Sequence, residues 1–177
     1  GSAGTAPAQL AVQQPTEKLL VLPFTAAPAD SATSIALADA VRERVGQIAK
    51  YKVLVTTKAK LCEALVASGF PCDVLLDEQQ ARQLARFLQV GAYVTGSLVR
   101  RDATLIANVR VVDIASSGMA GMFTVSHGNP GTVAALAETI TQRLNVLIRA
   151  GEQARECTQN RQRGQFPRAF SAAQKAL

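Results

Sequence analysis

Tryptophan is absent from this 177-residue chain, histidine occurs once, cysteine three times, and aromatic residues make up only 5%. These shortages exclude a histidine-rich metal centre and an aromatic platform for stacking nucleic-acid bases. No apolar run approaches the roughly 20 residues a helix needs to cross a bilayer; the longest, at residues 19–24 and 90–94, are strand-sized. A Walker Lys-Ser/Thr pair is missing, and so is a G-x-G-x-x-G fingerprint, so a phosphate-cradling loop lacks support. What is plentiful is apolar material. Hydrophobic residues are 48% against 18% charged, with a mean hydropathy of +0.13, enough to offset the conformational entropy lost on folding and to exclude a wholly disordered chain or a coiled-coil rod. The length fits one main domain.

The formal charge is +6 and the isoelectric point about 9.7, but the excess is local. Residues 149–177 carry six Lys/Arg against two Glu, which leaves only +2 on the preceding 148 residues. The basic tail predicts contact with an acidic face of another protein. Nucleic acid is disfavoured because aromatics among these charges are sparse, Phe166 and Phe170 alone.

Residues 1–17 are rich in Ala, Gln and Pro without periodicity and read as a flexible lead-in. The chain opens on Gly-Ser-Ala-Gly rather than Met, as after an expression tag or a cleaved signal peptide. Leu19-Leu20-Val21-Leu22, closed by Pro23, predicts a buried central strand. Asp30 or Ser31 can cap a helix carrying Ile35, Leu37, Val41, Val45 and Ile48 on one face, with Arg42, Glu43, Arg44 and Gln47 on others. Residues 52–56 form a short β-branched strand, Thr57 can cap a helix that Gly69 stops, and Asp77-x-x-Gln80 is a capping box for a helix running towards Gly91. Residues 92–99, 103–114 and 119–125 read as strands of an antiparallel meander with turns at Arg100-Arg101-Asp102 and Ser116-Ser117-Gly118. Thr132 opens a further helix with Leu136, Ile140, Leu144 and Leu147 on one side. The expected fold is therefore α/β with an α+β tendency: a mixed sheet of about five strands with flanking helices, followed by a C-terminal helical hairpin. In that hairpin Ala169, Ala173 and Ala176 allow close approach of a neighbouring helix.

The order LLVLPFTAAPAD, ALADAVRERVGQIAKYKVLVTT, ARQLARFLQVGAYVTGSLVRR and ANVRVVDIASSGM resembles the TolB amino-terminal-like family, an α/β domain related to CsgG and FlgO-type envelope proteins. The resemblance covers roughly residues 18–150. G-Q-F-x-x-A-F-x-x-A-x-K-A-L at the end is similar to the second half of one tetratricopeptide repeat, although the usual Trp and Tyr of a first helix are missing from residues 149–163. The expected division is thus 1–17, 18–150, and 151–177 as a docked hairpin or partial repeat. The resemblance implies a non-catalytic, extracytoplasmic or periplasmic docking module of a larger envelope or membrane-associated assembly, with a protein partner and no cofactor. It carries over no catalytic residues. Gly91, Gly96, Asp113 and Gly118 match recurrent positions, each with a structural reason: helix stop, strand irregularity, strand-end turn and tight turn.

Arg155, Arg161, Arg163 and Phe166 are the expected partner-binding residues. Cys62 and Cys72, ten apart, can staple a helix to the loop after it or stay as buried thiols. The envelope setting implied by the resemblance favours the bridge. Cys157 is expected to be unpaired, no Cys-x-x-Cys spacing suggests a metal, and His127 reads as a turn residue. Two rival readings follow. One is a sensory module binding a small ligand or nucleotide at the carboxyl edge of the sheet, near residues 23–30; the other is an enzyme using Cys62 or Cys72, which requires a low-pKa thiol.

Overall fold

The computed structural model describes residues 17–48, 53–115, 118–128 and 131–176, without the side chains of Phe166, Phe170 and Ala176. Strand β1 (Glu17–Val21) leads through a short turn into helix α1 (Ser31–Ile48) and strand β2 (Val53–Val55). Helices α2 (Lys58–Ala67) and α3 (Glu78–Phe87) precede the meander β3 (Ala92–Arg101), β4 (Thr104–Asp113) and β5 (Met119–His127). Helices α4 (Val133–Gln162) and α5 (Phe166–Ala176) close the chain. The sheet is mixed, in the order β2-β1-β3-β4-β5. β1 runs parallel to both β2 and β3, and the meander is antiparallel. The α/β class with five strands is as the sequence suggests.

Both faces of the central strands are buried, which explains the unbroken apolar run. Leu19 and Val21 join α1 and α4 in one core, while Leu20, Leu22 and Tyr93 pack under α2 and α3 in another. The capping chemistry forms as read. Thr57 and Thr132 accept backbone N–H groups of Lys60 and Ala135, and Asp77 with Gln80 completes a reciprocal box.

Several expectations change. The start of α1 is not held by an Asp30 or Ser31 cap: the Asp30 carboxylate accepts from Arg100 Nε at 2.8 Å, and the Ser31 hydroxyl donates to the Pro28 carbonyl. Arg100 is thereby paired while staying 41% exposed, and β3 continues to Arg101, which leaves Asp102 (φ 52°) to turn the hairpin. Ile48 is 50% exposed, whereas Arg42, expected on an outer face, is only 5% exposed. Helix α3 ends before Gly91. Gln89 takes the left-handed position (φ 53°), with Gln89 N–H on the Arg86 carbonyl and Val90 N–H on the Ala85 carbonyl, the arrangement Gly usually serves. Gly96 is required by close approach, since a Cβ there would lie 1.9 Å from the Asn108 carbonyl oxygen. Helix α5 buries Ala169 and Ala172, with Ala173 half-buried, and the side chain of Ala176 lies outside the described residues.

Candidate functional site

Helix α4 has two lives. Its first half presents Leu136, Ala137, Ile140 and Leu144 to the core, while its second half runs past the sheet edge at which β1 begins. At about 1.5 Å per residue a helix of this length outreaches the strands it covers. Under the overhang lies a cleft of about 630 Å³. Its walls are apolar (Leu19, Val53, Val111, Leu144, Leu147) and its helical roof includes the small residues Ala150, Gly151 and Ala154, which hold the space open. The size and lining suit an apolar guest oriented by few polar groups. The polar rim comprises Asp113 and an ion pair between Arg155 and Glu17. Both partners are partly exposed, at 47% and 31%, so the pair orients the rim and contributes little stability.

Beyond Arg155 the helix continues without interruption to Gln162, and Gly164 (φ 71°) turns the chain into α5. Ala169, Ala172 and Asn160 are buried in the hairpin, Arg161 and Arg163 are exposed, and Cys157 is a half-buried free thiol. Phe166 opens α5, and its side chain lies outside the described residues. The predicted partner-binding residues are therefore not one patch. Arg155 and Arg161 are separated by about 9 Å along the helix axis and roughly 120° around it, and Arg155 is engaged by Glu17.

Cys62 on α2 and Cys72 in the following loop are bridged, with Cα atoms 4.5 Å apart, inside the normal span for a disulfide. Neither sulfur is a thiol here, which removes the nucleophile that the cysteine-enzyme reading needs. His127 is the last residue of β5, beside Leu105, rather than a turn residue. Among the described residues no group of three His, Cys, Asp or Glu could hold a metal ion, and no helix is long and apolar enough to cross a membrane.

At the carboxyl edge proposed for a small ligand the chain packs closely around residues 24–25, and a pocket of about 390 Å³ lies beside it, lined by Asp39, Arg42, Val55 and Lys58 among others. Phe24 is fully buried, Ser34 donates to its carbonyl, and Thr25 bridges to Ser97. Nearby, the Arg42 guanidinium donates from Nη2 to the Val21 carbonyl at 2.7 Å and from Nη1 to Asp39, which also receives Lys58. This network was not read from the sequence. The available signal was position: Arg42 is one turn beyond Ala38 and next to Val41, on the border of the apolar stripe, where a long side chain can bury its stem and deliver its head to an open strand end. Glu17 was likewise missed, because it falls at the edge of the lead-in with nothing local to mark its distant partner.

No family model matches the chain, and no curated protein does. Solved structures of similar shape include the LpoB C-terminal domain from Salmonella enterica (12% identity, TM-score 0.50), covering 64% of this chain and 84% of that one. Others are lipoprotein GNA1162 from Neisseria meningitidis (13%, 0.49, covering 72% and 94%) and TolB from Acinetobacter baumannii (10%, 0.47, covering 76% and 29%). At such identities the likeness to the LpoB domain shows a shared fold and nothing finer.

Proposed function

We propose that this chain is a non-catalytic, extracytoplasmic interaction domain that docks as an accessory subunit onto a protein of a larger envelope or membrane-associated assembly. The observation that carries it is the second half of α4, which roofs an apolar cleft and then forms with α5 a hairpin that presents Arg161 and Arg163 to solvent. A partner contributing an apolar side chain to the cleft and carboxylates to the helix end would satisfy both features. Support for the compartment comes from the Cys62–Cys72 bridge, which persists in oxidising environments, and from the resemblance to TolB amino-terminal-like domains. In this reading residues 18–150 are the scaffold and 151–177 the docking hairpin, a helical pair whether or not it is the remnant of a tetratricopeptide repeat.

The test is capture of partners from the native envelope fraction by the whole chain and by an Arg161→Glu/Arg163→Glu variant of unchanged melting temperature. Proteins retained by the native chain and lost with the variant support the reading. An identical set of captured proteins contradicts it.

A further inference from the structure

The two edges of the sheet differ. β2 is three residues long, whereas β5 spans nine, Met-Ala-Gly-Met-Phe-Thr-Val-Ser-His, without Lys, Arg, Asp, Glu or Pro. Edges that stay solvent-exposed are usually short or guarded by charge, proline or a covering element, because their free N–H and C=O groups template another strand. Among the described residues β5 has β4 on one side and no strand on the other. Its flanks are apolar as well: Met119 and Met122 are 58% and 66% exposed, and Val146 on α4 is 66% exposed.

We propose that the outer edge of β5 receives an extended, carboxylate-bearing segment of a protein partner as a sixth strand. The proposal rests on the reading of this domain as an interaction module but uses a surface distinct from the hairpin.

Charge selects the occupant. The β4 residues paired with β5 include no carboxylate, and the cation among them is Arg110, opposite Met122. On the other face the exposed Arg143 guanidinium lies 5.7 Å from the centre of the Phe123 ring. Arg110 leans on Glu78 at 3.7 Å, with both side chains at least 40% exposed, a contact too solvated to neutralise it fully. Because side chains of a strand alternate between its faces, a segment alternating apolar and acidic residues can set its carboxylates on the Arg143 face and its apolar groups beside Met122, whereas a second copy of β5 carries no carboxylate to meet Arg143. The edge is also held in shape. Thr124 donates to Asn108 Oδ1 at 2.8 Å and Asn108 Nδ2 donates to Ser97 at 3.2 Å, a cross-strand chain on the face that α3 leaves open.

The probe is an acetylated and amidated peptide of five alternating Val-Glu repeats, titrated into the ¹⁵N-labelled full chain, with the Val-Lys counterpart as control. Amide shifts should concentrate in residues 119–127 and around Arg143, and the acidic peptide should bind about ten-fold tighter than the basic one. Met122→Glu should weaken it by a similar factor and Met122→Leu should not; Arg143→Glu serves as a second variant on the opposite face. Equal binding of both peptides, or shifts that avoid β5, would overturn the proposal. So would a dimer of the chain alone that Met122→Glu dissociates, since that result assigns the edge to a second copy. The Arg161→Glu/Arg163→Glu variant should bind the acidic peptide like the native chain, so hairpin docking and strand addition fail independently.

Discussion

The two helical layers of this domain are built to different strengths. Among the described residues, the side with α1 and α4 buries twenty apolar residues in one cluster, and the side with α2 and α3 buries twelve. The smaller layer is also the one stapled by Cys62–Cys72, which ties α2 to the loop that follows it. Less burial means less hydrophobic stabilisation at roughly 25 cal/mol per Å², and a cross-link that restricts the unfolded chain offsets part of the deficit. The thicker layer needs no such aid, and it is the one whose helix extends beyond the sheet. The difference separates a scaffold face, held by packing, from a thin face held partly by covalent chemistry.

The sheet shared by both layers is where the largest effect is expected. Gly96→Val would drive a Cβ into the Asn108 carbonyl and should cost more than about 4 kcal/mol or prevent folding, read by denaturant unfolding. A loss below about 1 kcal/mol would mean the β3–β4 contact is looser than described. Removing the staple comes next. Cys72→Ser, or reduction, should cost about 2–3 kcal/mol by the loop-entropy account. Hydrogen exchange should then quicken in α2 and the loop to α3 while α1 and the first half of α4 stay protected. Uniform acceleration through both layers would erase the asymmetry.

How much of this was legible follows from the range of each interaction. Caps at Thr57, Asp77 and Thr132 are settled within three residues, so local sequence suffices. The same holds for the meander, where short turns leave few pairings available. Gln89, Arg42 and Glu17 escaped because their conformations are set by partners far along the chain or by the crowding of a helix end against β1. The β2-β1-β3 order is likewise imposed by packing, since periodicity identifies strands without saying which are neighbours. Of the candidate site, the overhang was anticipated as a basic hairpin, but the cleft beneath it required the full length of α4.

Smaller effects sharpen the contrast. Gln89→Gly should stabilise the thin layer by about 1 kcal/mol, the relief of a left-handed non-glycine residue, measured as a higher melting temperature; no change or a decrease would show that the Gln89 side chain holds a compensating contact. Arg155→Ala should change stability by less than about 0.5 kcal/mol, because the pair with Glu17 is solvent-screened. A loss several times larger would move the overhang from a docking element to a structural one.

The central claim is that the projecting hairpin meets another protein. A photo-crosslinking amino acid placed at position 161 of the native chain in its own cells tests this most directly, with position 63, on the exposed side of α2, as the reference. The account predicts a discrete protein adduct from position 161 and none from position 63. Adducts of equal yield from both positions, or none from 161, would contradict it.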